Sequence, residues 1–220
     1  PVRCAASSLR NMTTLSFYQR ISGQRKLTTR SAAQLAGLSI ATASMALQRL
    51  AAEGLVTRIK PGEWLVGSAA REPAALVAAV ASPYEAYLSG WSALRHHGRI
   101  QQFPETHFGV TLGRPVEMKV SGVRVRLHHV TPLLFTGYDF VPELGGHVAS
   151  PEKALFDLAY FAAASRSRLS GRLPETELNG LRWASIQGWL HRIPAARVRT
   201  RVKQKLRALR EQHSGQPTGE

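Results

Sequence analysis

The sequence predicts an α+β fold in two units: an N-terminal winged helix-turn-helix followed by a mixed α/β domain with a small sheet and C-terminal helices. Three observations carry that expectation. Apolar residues recur at helical spacing through residues 14–52, and the next dozen residues read as two short strands around Lys60-Pro61-Gly62-Glu63. Beyond residue 106 the apolar period changes to two, then returns to helical at the end of the chain. With 220 residues and 44% hydrophobic content, the chain has enough apolar material for one large core or two small ones.

In the first unit, Leu15, Tyr18 and Ile21 mark a short helix over 14–21. The basic connection "GQRKLTTRSAA" leads to a second helix over roughly 31–35, which Gly37 breaks. Ser39 then stands as the cap of a third helix whose stripe Ile40, Ala43, Leu47 and Leu50 is expected to be buried. Two helices separated by so short a turn follow helix-turn-helix arithmetic. The hairpin behind them, with Pro61 and Gly62 at type II turn positions, is the expected wing.

The other face of the third helix carries Thr42, Ser44, Met45, Gln48 and Arg49, with no acid until Glu53. Major-groove readout uses the N-terminal half of such a helix, so Thr42, Ser44, Met45 and Gln48 are expected on bases, with Ser39 and Arg49 on phosphate. Arg25, Lys26 and Arg30 in the connection, and Arg58 and Lys60 on the wing, are expected to hold further phosphates. The plainer alternatives are a solvated face or a winged helix that only holds proteins together.

Charge supports an anionic partner. Lys and Arg number 29 against 14 Asp and Glu, a formal net charge of +15 and a pI near 11.1. Residues 1–70 hold nine basic and two acidic residues, residues 71–164 eight of each, and residues 165–220 twelve and four. Both ends are basic and the middle is neutral. The single cysteine, Cys4, offers neither an internal disulfide nor a cysteine zinc site, and no apolar run reaches the ~18 residues of a membrane span. A cytoplasmic protein with no membrane contact is expected.

The linker around 67–73 sets the units at 12–68 and 73–211, with 1–11 and 212–220 expected to be disordered. The second unit opens with an apolar helix, a break at Ser82-Pro83, and a helix capped near Ser89 and closed by Gly98. "HFGVTLG", "VRVRLHHV", "YDFV" and "GHVAS" read as strands. In the helix that follows, Ser150 is the cap, Pro151 occupies the first turn and Glu152 complements the dipole. Lys153 and Asp157 are spaced as an i, i+4 pair worth a few tenths of a kcal/mol. Trp91, Leu94, Phe156 and Tyr160 read as core.

Two more helical stretches, "WASIQGWLHRI" and "AARVRTRVKQKLRALREQ", close the chain. In the last, Val198, Val202, Leu206 and Leu209 share one face, while Arg199, Lys203, Arg207 and Arg210 line a flank as a second basic surface. A solvated face more often mixes signs, so this stripe is expected to be a second anionic contact, with DNA beside the winged helix's site.

An enzyme is not expected. His96-His97 and His128-His129, with Glu105, His107, His147 and Asp157, are the residues from which a metal or acid-base site would have to be assembled. Adjacent histidines diverge in a helix by about 100° and in a strand to opposite faces, so neither pair chelates as a unit. One histidine of each pair is expected to be hydrogen-bonded and partly buried, the other at the surface. No HExxH, Gly-rich phosphate loop or serine elbow occurs. No metal, cofactor or catalytic residue is assigned.

Two stretches of the middle region, "YLSGWSALRHHGRIQQFP" (87–104) and "HVASPEKALFDLAYF" (147–161), resemble the marker segments of the AbiEi-type antitoxins of bacterial abortive-infection (type IV) toxin-antitoxin systems. That family also opens with a winged helix. The resemblance implies a transcriptional regulator that represses its own operon at inverted repeats in its promoter. It also implies an antitoxin function against a nucleotidyltransferase-like toxin, in many members without a stable complex. Arg99-Ile100 departs from the apolar residue that more often follows the family's His-Gly. The alternative is a winged-helix regulator whose C-terminal domain senses a ligand.

Overall fold

Three helices open the computed structural model, which describes residues 13–67, 71–164 and 176–214. Helix α1 (Thr14–Ile21) starts on the Thr13 side chain, which accepts from the Ser16 amide, and buries Phe17 and Ile21. A three-residue strand β1 (Lys26–Thr28), absent from the sequence expectation, follows it. Its lone apolar residue, Leu27, is too little pattern to reveal a strand from sequence.

Helix α2 (Thr29–Ala36) is longer than expected because Thr28 and Ser31 form a capping box at its start. It ends on Gly37, whose left-handed φ of 67° suits glycine. Helix α3 (Ile40–Ala52) leaves α2 at 104° and starts on Ser39, whose hydroxyl accepts from the Thr42 amide. Strands β2 (Val56–Lys60) and β3 (Glu63–Val66) form a hairpin, with Gly62 at φ 78° as a type II turn requires. The sheet order is β1-β3-β2, all antiparallel.

This sheet is used on both faces. Leu27, Val56, Trp64 and Val66 pack with α1 to α3 around Leu47 and Leu50, while Ile59 and Leu65 belong to the core of the second unit. One stripe residue departs from expectation: Ala43, Leu47 and Leu50 are fully buried, but Ile40 is 53% exposed, because the first turn of α3 stands clear of the core.

The second unit is a six-stranded sheet of order β6-β7-β5-β4-β9-β8, larger than the small sheet expected. Its strands are β4 (Ala86–Leu88), β5 (Thr106–Thr111), β6 (Val116–Val120), β7 (Val123–His129), β8 (Tyr138–Val141) and β9 (Gly146–Ala149). β4 and β6 are the additions: β4 is an all-buried triplet without alternation, whereas the edge strand β6 alternates Val116, Met118 and Val120 with Glu117 and Lys119 and was legible though not expected. The pairs β4 with β9 and β5 with β7 are parallel, and the rest antiparallel.

Helix α4 (Pro73–Ala81) covers one face, where Gly109 leaves room for Val77 and Leu127. Helices α5 (Gly90–His96) and α6 (Pro151–Ala164) cover the other, with α7 (Trp183–His191) and α8 (Ala196–Ser214) packed on α6. Helix α8 runs to Ser214, past the expected end of order at 211; residues 1–12 and 215–220 lie outside the described residues. Among the described residues no single helix is long and apolar enough to cross a membrane.

Polar contacts tie the units together. The Lys60 ammonium donates to the Ser82 carbonyl at 3.2 Å, and the Ser121 hydroxyl donates to Thr57 at 3.5 Å.

Candidate nucleic-acid interface

Helix α3 presents two chemically distinct sides because its apolar residues recur every three to four positions. Thr42, Met45, Gln48 and Arg49 are exposed, and Ser44 is half-buried between them. The Ser39 and Thr42 hydroxyls lie 2.8 Å apart, and the Gln48 amide reaches the Ser44 hydroxyl at 3.5 Å. The face is therefore polar, with short hydroxyl side chains at its N-terminal half, Gln48 and Arg49 beyond them and Met45, 54% exposed, in the middle. Ile40, expected in the core, extends this face at its N-terminal end. Periodicity concealed it, since it falls on the buried stripe by spacing and is released only by its place in the first turn.

The surrounding cations divide into two groups. Arg25 and Arg30 are exposed, and Arg58 is exposed while its guanidinium lies 5.8 Å from the Trp64 ring centre across the hairpin. Lys26, by contrast, pairs with Glu63 at 2.9 Å, and Lys60 is held by Ser82. These two have partners within the fold.

On α8, Val202, Leu206 and Leu209 are buried as expected, with Val198 half-buried. Its basic flank is not uniform. Arg199 donates from Nε and Nη2 to the Ile193 carbonyl at 3.1 and 2.8 Å, which closes the turn after α7 and gives it a structural place. Lys203 is exposed, Arg207 pairs with Glu211 at 2.7 Å, and the Arg210 guanidinium lies 5.3 Å from the Trp183 ring centre. Lys203, Arg207 and Arg210 border a groove of about 170 Å³ beside Trp183.

The middle region corrects several expectations. Lys153 and Asp157 are not a surface pair: both are fully buried, with Nζ 2.5 Å from Oδ1. Asp157 Oδ2 also accepts from the Tyr87 hydroxyl at 3.0 Å and the Ser89 hydroxyl at 2.7 Å. Ser89 holds the N-cap position of α5 but directs its side chain to Asp157 instead of capping. Burial pushes the Asp157 carboxyl up and the Lys153 ammonium down, and their mutual attraction opposes both shifts. Glu152, also buried, accepts from the Arg182 amide at 3.1 Å and meets its guanidinium at 3.4 Å.

Trp91 is 39% exposed because α5 buries Gly90, Ala93 and Leu94, leaving Trp91 and Arg95 on its open side. Phe156 and Leu94 are fully buried and Tyr160 packs against the core, as expected.

In the first histidine pair, His97 bonds the Ala149 carbonyl at 2.8 Å and His96 is exposed. The second pair differs, because exposed His129 meets the Gly113 carbonyl at 3.0 Å whereas half-buried His128 finds no partner at Nε2 among the described residues. Among the described residues no three His, Cys, Asp or Glu side chains gather where an ion would bind.

No protein-family model matches the chain, and no curated protein matches it.

Proposed function

We propose that the first unit is a winged helix-turn-helix that binds double-stranded DNA through α3, and that the protein is an antitoxin and autorepressor. The observation that carries the DNA reading is the acid-free, exposed polar face of α3, turned 104° away from α2, in a unit that also exposes Arg25, Arg30 and Arg58. Thr42, Ser44, Met45 and Gln48 contact base edges, with Ile40 against a thymine methyl, and Ser39 and Arg49 contact phosphate. The β2–β3 hairpin is a short wing whose outer face rests on the second unit.

The antitoxin part rests on the resemblance of residues 87–104 and 147–161 to the AbiEi marker segments. In this reading those segments form a packed scaffold, since their side chains include Tyr87, Ser89, Lys153 and Asp157, all buried. The protein acts by binding rather than catalysis, in the cytoplasm. Its partners are its own promoter and, functionally, a nucleotidyltransferase-like toxin. Co-expression with the product of the adjacent gene tests this part: growth restored by the protein supports it, and growth unaffected by either gene contradicts it.

Salt dependence tests the phosphate contacts. Neutralising Arg25, Arg30 and Arg58 together to alanine is expected to weaken binding to all sequences alike. It should also reduce the slope of log affinity against log salt by about 0.9 for every phosphate that is no longer neutralised. An unchanged slope excludes these three. A Lys203→Gln, Arg207→Gln variant, which leaves Arg199 in place, probes α8 in the same titration: a lower slope places α8 on DNA. Unchanged binding with failed growth rescue assigns that helix to the toxin.

A further inference from the structure

Within the polar face of α3, the line that points farthest from the core is largely apolar. Ala41, Met45, Gln48 and Ala52 stand at i, i+4, i+7 and i+11, opposite the buried Ala43, Leu47 and Leu50, and all four are exposed. Three of them are apolar. Met45 at 54% exposure is joined in the first turn by Ile40 at 53%, so the helix carries apolar surface that the core of its own unit does not cover.

The polar groups around this line differ in what they can tell apart. Hydroxyls such as those of Thr42 and Ser44 both donate and accept, so they distinguish little between bases, and the Thr42 hydroxyl already lies 2.8 Å from that of Ser39. Arg49, the residue type that pairs with guanine O6 and N7, stands seven positions after Thr42 on the flank, off the line. The line itself holds no Arg or Lys for guanine and no Asp or Glu for the cytosine amine.

Gln48 is the one side chain of the line with a base-specific pattern. Its Nε2 lies 3.5 Å from the Ser44 hydroxyl, a contact that uses one of its two N–H groups. The second N–H and Oε1 remain for a two-point pairing with adenine, donating to N7 and accepting from the N6 amine.

We propose that α3 reads A·T base pairs: Gln48 takes the adenine edge, and Ile40, Ala41 and Met45 take the C5 methyl that marks thymine in the major groove. This rests on the reading of α3 as the DNA-contacting helix and goes beyond it in naming which bases are recognised.

Base analogues placed in the upstream DNA test it, with binding of the full chain followed by fluorescence anisotropy at one salt concentration. Deoxyuridine in place of thymidine removes only the methyl and keeps the pairing, and wild type is expected to bind that duplex about tenfold more weakly. 7-Deazadeoxyadenosine removes the adenine N7 acceptor and is expected to weaken binding about fivefold. The two losses separate by residue. Ile40→Ala, Met45→Ala is expected to narrow the thymine effect to about twofold and keep the adenine effect, while Gln48→Ala abolishes the adenine effect and keeps the thymine one. Damage to the fold weakens binding to every duplex alike and gives neither pattern. If wild type prefers its upstream DNA to a scrambled duplex but is indifferent to either analogue, or if the variants leave both losses intact, this inference fails while the DNA reading stands. If wild type shows no preference for its upstream DNA, both fall.

Discussion

Replacing Asp157 with leucine is expected to cost about 3–5 kcal/mol in denaturant unfolding, one of the largest effects of any single substitution in the chain. The reason is what the substitution leaves behind. The Lys153 ammonium remains fully buried among Tyr87, Phe156 and Trp189, whose ring centres lie 5.8, 4.8 and 5.6 Å away. The Tyr87 and Ser89 hydroxyls lose their acceptor at the same time. Lys153→Met is expected to be similarly damaging, because it strands the carboxylate. Replacing the whole network at once, Tyr87→Phe, Ser89→Ala, Lys153→Met and Asp157→Leu, leaves none of these polar groups unpaired and is expected to recover most of the stability. A cost under about 1 kcal/mol for Asp157→Leu would mean that the pair behaves as a surface ion pair, as its i, i+4 spacing alone suggests.

The second large effect is at Phe156. Its ring is fully buried, 5.8 Å from Trp189 and 6.1 Å from Tyr160 between centres, and it also faces Lys153. Phe156→Ala is expected to cost about 3–5 kcal/mol. Trp91→Ala, at a partly exposed position, is expected to cost under about 1 kcal/mol despite the larger side chain. Equal losses for the two, compared by denaturant midpoints at matched slope, would show that Trp91 is as integral to the core as its size implies. Because Phe156 and Lys153 touch, Phe156→Ala and Asp157→Leu are not expected to add.

These positions show why the sequence was legible in some places and not in others. The helices of the first unit announce themselves through Ser39, Gly37 and the Ala43, Leu47, Leu50 spacing, since caps and stripes are local properties. Four of the second sheet's strands carry a period of two and are readable for the same reason. Strand β4 is not, because Ala86, Tyr87 and Leu88 are all buried and alternation disappears when both faces are covered. Strand β6 is different: Val116, Met118 and Val120 alternate with Glu117 and Lys119 on the sheet's edge, so its period was legible although no strand was expected there.

The burial of Lys153 and Asp157 was hidden more deeply. Their partners Tyr87 and Ser89 lie about seventy residues earlier, and nothing within the helix reveals them. The partners of the cations are hidden in the same way: Glu63, Ser82 and the Ile193 carbonyl meet Lys26, Lys60 and Arg199 only in the fold. What remained legible of the candidate interface is the polar face of α3, because amphipathic spacing alone fixes which side of a helix turns outward.

That face carries the central claim, and its sequence preference is the most direct measure of it. Binding of the full chain to its upstream DNA and to a scrambled duplex of equal length, at one salt concentration, gives a specificity ratio for wild type and for a Thr42→Ala, Gln48→Ala variant. Both side chains are exposed, so the variant is expected to keep its fold. If α3 reads bases, the ratio falls, at about 1–3 kcal/mol for each base no longer read, while affinity for the scrambled duplex stays near wild type. An unchanged ratio in a folded variant would contradict the account and remove α3 as the reader.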